Sequence, residues 1–472
     1  MMILSCSFFD SLPKNRDQKK LNDPFTKGYQ LFSNRHYQQA LPVFLTYLKN
    51  HNIDEDNYSW ALFFFGICLK ENGYTHAAFD IFTRLIEQSP NAKIVTHVLE
   101  FFESAISQGI ITENQLQETV FCSKNFGYID EPLSYFIFFQ QGMCNWRKGY
   151  IEWGNQQFKK IPKNSIYYPQ YHFELSRLMI HNNDIQKAIE ILTSILHSDA
   201  ITPSIKEKTR ITLARLFYEQ KKYDRSDELY QKIDKHHPEK SLFLLERAWT
   251  QYYSGYPDIA MGLLIGLKAP ELENTITPEY FLLKALIYKQ VCNYQKALSI
   301  VNEFQDQYHE LIDHIKKRHQ LSDQRQALQL LYLRKTIKQH LSLLNLLEHE
   351  KDSIQQLDNK PLAKYLENIY IVLINRYKNE LQTIAKKEYE RLSDQLLSFE
   401  ENMRLMNYEI GLDMYQRVKQ QTNSKKKEDS ASIDNPVIYP FIHEYWNDEL
   451  DDLRVSLPNR CQTLEEWDIF FK

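Results

Sequence analysis

The chain has 472 residues, 43% of them apolar and 25% charged, with a formal net charge of −4. That length supports two or three domains with a sizeable core, and the charge gives no basic signature for nucleic acid. No apolar run approaches the ~18 residues needed to span a bilayer. Glycine is scarce, at 12, against 30 tyrosines and 27 phenylalanines. A β-rich or loop-rich fold needs many positive-φ positions, so this composition favours helices, with the large rings filling gaps between them. The six cysteines lie far apart without a CxxC pair. That spacing predicts neither a disulfide framework nor a zinc site. Cys68, Cys144 and Cys292 fall in predicted helices, where a cysteine reads as a small buried hydrophobe.

Residues 1–20 read as a flexible leader. Within them Ile3-Leu4-Ser5-Cys6 resembles a bacterial lipobox. The resemblance implies acylation of Cys6 after signal cleavage, and hence a lipid anchor as the chain's contact with a membrane. Leu4 stands where a smaller residue is usual, and five residues are too few for a signal peptide, so this reading requires an upstream start. The alternative is an unstructured leader in the cytosol.

From 21 to 308 one frame recurs. Leu62, Phe65-Gly66, Leu69, Gly73, Ala78, Phe82, Leu85 and Pro90 resemble the tetratricopeptide (TPR) pattern. In that pattern small residues sit where two helices cross closely and proline ends the second helix. The second small residue of each copy falls at 40, 78, 154, 188, 226, 260 and 297, with steps of 38, 76, 34, 38, 34 and 37. The step of 76 leaves room for one degenerate repeat at 91–130. The fold expected is all-α: a right-handed TPR-type α-solenoid of about eight helix pairs. Pro42 early in a second helix and Gly154 in place of alanine depart from the pattern.

The TPR resemblance also implies a concave groove, lined by the second, fifth, ninth and twelfth positions of each first helix. Those positions are Trp60, Phe63, Ile67 and Lys70; then Phe136, Phe139, Met143 and Trp146; then Leu242, Leu245, Trp249 and Tyr252; and finally Glu279, Leu282, Leu286 and Lys289. TPR grooves that clamp a terminal carboxylate carry lysine, asparagine and arginine there. This one is apolar and aromatic, so it suits an apolar or aromatic-rich protein segment. The competing reading is that these side chains only pack against neighbouring helices.

After Tyr308 the period changes. Residues 309–357 and 362–420 read as two long amphipathic helices broken at Asp358-Asn359-Lys360-Pro361, which predicts an antiparallel hairpin over 309–420 that projects as a second partner site. Residues 421–435 form a polar linker with three consecutive lysines. The tail 436–472 concentrates apolar residues again. Phe441, Tyr445, Trp446, Leu450 and Leu453 are expected to dock onto the chain's own helices. With Arg454 and Cys461 behind them, they resemble the C-terminal signature of TPR lipoproteins of gliding and predatory bacteria, among them a component of the envelope gliding-motility machinery.

Catalytic signals are weak. His309 and His314 are five apart, roughly 140° around a helix, too far to share one zinc. No phosphate-binding glycine loop or nucleophile elbow is present, and no cofactor is implied. The reading is a non-enzymatic scaffold that binds other proteins and no nucleic acid, located in a bacterial periplasm or lipid-anchored to the envelope. The alternatives are a cytosolic TPR adaptor and a TPR-regulated enzyme partner.

Overall fold

The computed structural model describes residues 23–55, 57–88, 91–111, 116, 120–317, 325–423, 450 and 452–461. Among these there are helices and turns and no strand. Seven helix pairs follow one another: α1 (Pro24–Ser33) with α2 (Tyr37–Asn50), α3 (Tyr58–Glu71) with α4 (Thr75–Glu87), and, after the single α5 (Ala92–Ser107), α6 (Leu133–Arg147) with α7 (Ile151–Phe158). Then come α8 (Tyr167–His181) with α9 (Ile185–Leu196), α10 (Pro203–Glu219) with α11 (Tyr223–Tyr230), α12 (Lys240–Tyr253) with α13 (Pro257–Gly266), and α14 (Pro278–Gln290) with α15 (Tyr294–Lys316). The architecture is an all-α, TPR-like solenoid.

One turn closes every pair. Two residues before each second helix stands a residue in the left-handed region: Arg35, Gly73, Gly149, Asn183, Lys221, Gly255 and Cys292, with φ between 56° and 87°. The next residue's N–H donates back five positions, as His36 does to Leu31 O at 2.8 Å and Asn293 to Tyr288 O at 2.9 Å. This Schellman pairing satisfies carbonyls left open at the end of the first helix and reverses the chain in three residues. Gly109 (φ 71°) makes the same turn after α5, with Ile110 N donating to Ala105 O at 2.9 Å. The degenerate repeat thus keeps its first helix and its turn.

The second constraint is close approach inside a pair. A Cβ on Gly28, Gly66 or Gly142 would lie 2.8, 2.5 and 2.5 Å from the ring of Phe44, Phe82 or Phe158, each sixteen residues on. At Ala248 and Ala285 the residue sixteen on is the smaller Leu264 or Val301, in the same buried cluster, whereas Ala214 is followed at that distance by the buried ring of Tyr230. Gly154, which breaks the usual alanine, has a reason in this structure. A Cβ there would sit 2.3 Å from the Trp146 ring.

Beyond the repeats lie α16 (Arg325–Tyr332), α17 (Lys335–Ser353) and α18 (Lys360–Asn423). Asn359 Oδ1 accepts from Leu362 N at 2.9 Å, and Pro361 stands at the start of α18, so the sequence signals for this start act as expected. The expected single helix over 309–357 is corrected. Residues 309–316 extend the last repeat helix, and a break at Leu333–Arg334 separates α16 from α17.

Two compact units contain these elements. One takes residues up to Pro162 with His340–Asn379, and the other takes Lys163–Gln339 with Glu380 onward. The break has a packing reason: Ala327 and Leu331 of α16 enter the second unit's core, whereas Leu347 and Ile354 are buried in the first. In the first unit α17 and the start of α18 run antiparallel, with Glu348 bonded to Lys378 at 2.9 Å and Glu350 to Tyr370 Oη at 2.5 Å.

Glu350 is buried and accepts three hydrogen bonds, the other two coming from His76 N at 3.1 Å and His76 Nδ1 at 2.9 Å. It therefore ties α4, α17 and α18 together through groups that water cannot reach. Replacing Glu350 by alanine should destabilise the first unit by about 3–5 kcal/mol, because three donors lose a buried acceptor. A denaturant titration in which E350A keeps wild-type stability would contradict this. Gly66→Ala should cost about 1–3 kcal/mol by overpacking against Phe82, and Phe82→Leu in the same chain should recover part of that loss.

Candidate functional site: an interaction groove and the helix that fills it

In the second unit the first helices turn Leu245 into a buried cluster and leave Leu242, Trp249 and Tyr252 at its edge. The same cluster contains Leu392, Leu396, Met403, Met406 and Ile410 of α18, with Leu282, Leu286 and Phe399 packed beside them. The predicted groove positions of α12 and α14 thus meet a helix from the chain itself. Polar contacts fix its register. Lys289, a groove position, pairs with Glu409. Lys316 Nζ lies 2.7 Å from Glu400, and Arg334 Nη2 donates to Gln395 Oε1 at 2.6 Å. Burial raises the Glu279 carboxyl, and the Trp249 indole beside it works in the opposite direction. The expectation that 362–420 projects into solvent is corrected for this unit. The apolar face of α18 is what covers the apolar groove.

The first unit treats its predicted groove residues differently. Phe63 is buried, with its ring 5.9 Å from Phe82 and 6.0 Å from His97 of α5, so it fills the gap between repeats. Trp60 stacks on Phe64 at 5.7 Å, and Ile67 is half-buried. Phe136 packs on Phe121 and Phe139 on Phe158, both wholly buried. Met143 is half-buried, and the Trp146 indole sits 4.7 Å from Phe158 and donates to Asn155 Oδ1 at 3.1 Å. Reading Phe63, Phe136 and Phe139 as an open partner surface is therefore corrected. The cause is visible in α3, where Ala61 through Gly66 are all buried. A helix apolar on every side gives no hydrophobic register from which to pick its groove face.

An aromatic ladder remains accessible in the second unit. Tyr253 is 51% exposed. It stacks on Tyr223 at 5.8 Å and on Trp249 at 5.8 Å, and it meets Tyr218 edge-on at 6.0 Å and Tyr252 at 5.3 Å. These rings come from α10, α11 and α12, so the ladder crosses two successive repeats. Burial pushes the Tyr218 and Tyr252 hydroxyls upward, so both stay neutral at physiological pH. The surface offers flat apolar faces edged by hydroxyl groups.

No family model matches the chain, and no curated protein matches it. Among solved structures, the C-terminal part of a TPR repeat-containing protein from Cytophaga hutchinsonii aligns with 72% of this chain and 98% of its own, at 17% identity and a TM-score of 0.25. The APC/C hetero-tetramer Cut9–Hcn1 aligns over 82% of this chain and 90% of its own, at 12% identity and a TM-score of 0.22. Likeness at that level carries no argument, and the TPR-like description rests on the eight identical turns and the paired helices.

The tail docks in the second unit through its described part. Leu450 is buried and Leu453 half-buried, while Phe441, Tyr445 and Trp446 lie outside the described residues, as does Cys6. The tail runs against α13 in the opposite direction. A Cβ on Gly266 would sit 3.0 Å from Leu450 O, and one on Gly262 would overlap Leu453 O at 1.7 Å. Val455 N then donates to Asp258 O at 3.2 Å, and Arg460 N to Val291 O at 3.0 Å. The two glycines, four apart, put one bare strip of helix backbone under the tail.

A disulfide joins Cys461 to Cys292, and a second joins Cys122 to Cys144. The expectation of no disulfide framework is thereby corrected. Cys292 is not in a helix but in the left-handed turn after α14. Arg417 of α18 donates to Cys461 O at 3.3 Å and to Cys292 Sγ at 2.6 Å, so bond, tail and α18 meet at one place. Cys68 alone is free among the described cysteines, and burial pushes its thiol far up. Among the described residues no group of three or more potential metal ligands occurs, and no helix is long and apolar enough to cross a membrane.

Gly262→Ala should expel the tail from α13, because nothing flexible lies at the clash. With a protease site placed at residue 430, the cleaved C-terminal fragment should stay with the wild-type body after reduction and separate from the variant. Retention of the reduced fragment by G262A would contradict this docking.

Proposed function

We propose that this chain is a non-enzymatic scaffold that binds a partner protein through the aromatic ladder around Tyr253 and Trp249. The carrying observation is that the groove positions of α12 and α14 pack with α18, whereas Tyr253 stays exposed among the half-buried rings of Tyr218, Tyr223, Trp249 and Tyr252 from two repeats. Their flat faces and hydroxyl edges suit an extended segment rich in aromatic, apolar or proline residues. Tyr253→Ala and Trp249→Asp should abolish capture of a specific set of proteins from the source organism under cross-linking, while helicity stays as in the wild type. Identical captured sets for wild type and both variants would end this reading.

The bacterial envelope, in an assembly such as a motility machinery, is the location we favour over a cytosolic adaptor or a TPR-regulated enzyme partner. Two disulfides support it, since such bonds persist in oxidising compartments and are rare in the cytosol of mesophiles. The lipobox-like Cys6 and the tail's resemblance to gliding-motility lipoproteins point the same way. Cells lysed in a thiol-blocking reagent should yield chain unlabelled at Cys122, Cys144, Cys292 and Cys461. Labelling of all four would favour the cytosolic adaptor.

A further inference from the structure

A cavity of about 480 Å³ in the second unit has walls from α11, α12, the start of α13 and the tail. Asp224, Asp227 and Glu228 line it from α11, Arg247 and Gln251 from α12, and Asp452 and Arg454 from the tail. Its volume falls in the range of small-ligand sites. Arg247 is buried, and its Nε lies 2.7 Å from Asp227 Oδ1. The other Asp227 oxygen accepts from Gln231 Nε2, so this carboxylate is satisfied within the fold. Gln251 has no such arrangement. It is only 6% exposed, yet its carboxamide has no hydrogen-bond partner among the described residues. An unpaired amide held that far from bulk water costs stability. That buried carboxamide separates the cavity from an ordinary acidic surface.

The charges around the amide say what it would meet. Asp227 and Arg247 neutralise one another, which leaves three carboxylates against one guanidinium. Asp224, Glu228, Asp452 and Arg454 form no ion pair with a described residue. Asp224 and Glu228 are four apart on one helix, so their Cβ atoms lie about 6 Å apart on one face, while Asp452 comes across from the tail. A divalent metal requires several oxygens converging on one point. No such group of three or more potential ligands occurs among the described residues. Carboxylates spread around a cavity suit instead a cation carried on a carbon chain, with Gln251 Oε1 accepting a hydrogen bond from one of its N–H groups.

We infer that this cavity binds a small organic cation bearing alkylammonium groups, supplied by a free diamine or by the lysine side chain of another protein. The inference does not rest on the aromatic ladder, whose rings do not line the cavity.

Calorimetric titration of the full chain with cadaverine tests this, with pentanediol and glutarate as neutral and anionic molecules of similar length. At about 20 mM salt the dissociation constant for cadaverine should be on the order of 1 mM, and the two controls should give no heat of binding. Glu228→Gln and Asp452→Asn should each weaken cadaverine about threefold. Gln251→Leu is the deciding variant, because it leaves every charge in place. It should weaken cadaverine about fivefold or more while the thermal midpoint holds or rises, since a hydrocarbon replaces an unpaired buried amide. Gln251→Met should do the same and covers the case in which the branch of leucine disturbs the packing. Tighter binding of N-acetyl-lysinamide than of cadaverine assigns the site to a protein side chain, and the reverse assigns it to a free diamine. Absence of cadaverine binding overturns the inference. So does pentanediol binding as well as cadaverine, or an affinity indifferent to both Gln251 variants, which is the behaviour of a diffuse acidic surface.

Discussion

Everything in this chain hangs on how closely a first helix can approach its second. The left-handed turn sets the two helices side by side, and the residue sixteen positions apart decides the gap. A glycine takes a phenylalanine ring, Ala248 and Ala285 take leucine and valine, and Ala214 takes the Tyr230 ring. Because interiors are close-packed, volume removed on one helix must be supplied by the other. The repeats can therefore drift in sequence while keeping one geometry, provided the two positions drift together.

That freedom has an outcome in the second unit. Its groove positions are apolar without a matching external ligand, and α18 supplies the matching apolar face. The chain thereby contains both halves of an interaction that TPR resemblance alone would assign to two proteins. The covered groove leaves the rings of α10 to α12 as the open aromatic surface nearby. Seen this way, the aromatic content of the sequence divides into rings that fill gaps between repeats, such as Phe63 and Phe139, and rings that remain at the surface, such as Tyr253.

Much of this was legible in the residues. The period from small residue to small residue located the helix pairs, including the gap where α5 stands alone. The start of α18 followed from Asn359 and Pro361. Other features left no local trace. The break at Leu333–Arg334 carries neither proline nor glycine and arises because α16 and α17 serve different cores. The disulfides join residues 22 and 169 apart, and nothing in such spacings singles out those pairs. The turns do leave a local trace. Arg35, Asn183, Lys221 and Cys292 occupy the place that Gly73, Gly149 and Gly255 hold, five residues before the recurring small residue. That alignment would have moved Cys292 from a helix to a turn.

The bond between Cys292 and Cys461 has a consequence for how the molecule is made. A ribosome completes the repeats well before it delivers α18, the strip that lies on Gly262, or Cys461. Until residue 410 has emerged, Leu245 and its neighbours lack the face that covers them. Until residue 461 has emerged, the Cys292 thiol has no mate. Nascent chains stalled or truncated after the repeats but before residue 410 carry an open apolar channel and a reactive thiol together, and those stopped between 410 and 461 carry the thiol alone, states that quality-control proteases and chaperones can read as unfinished work.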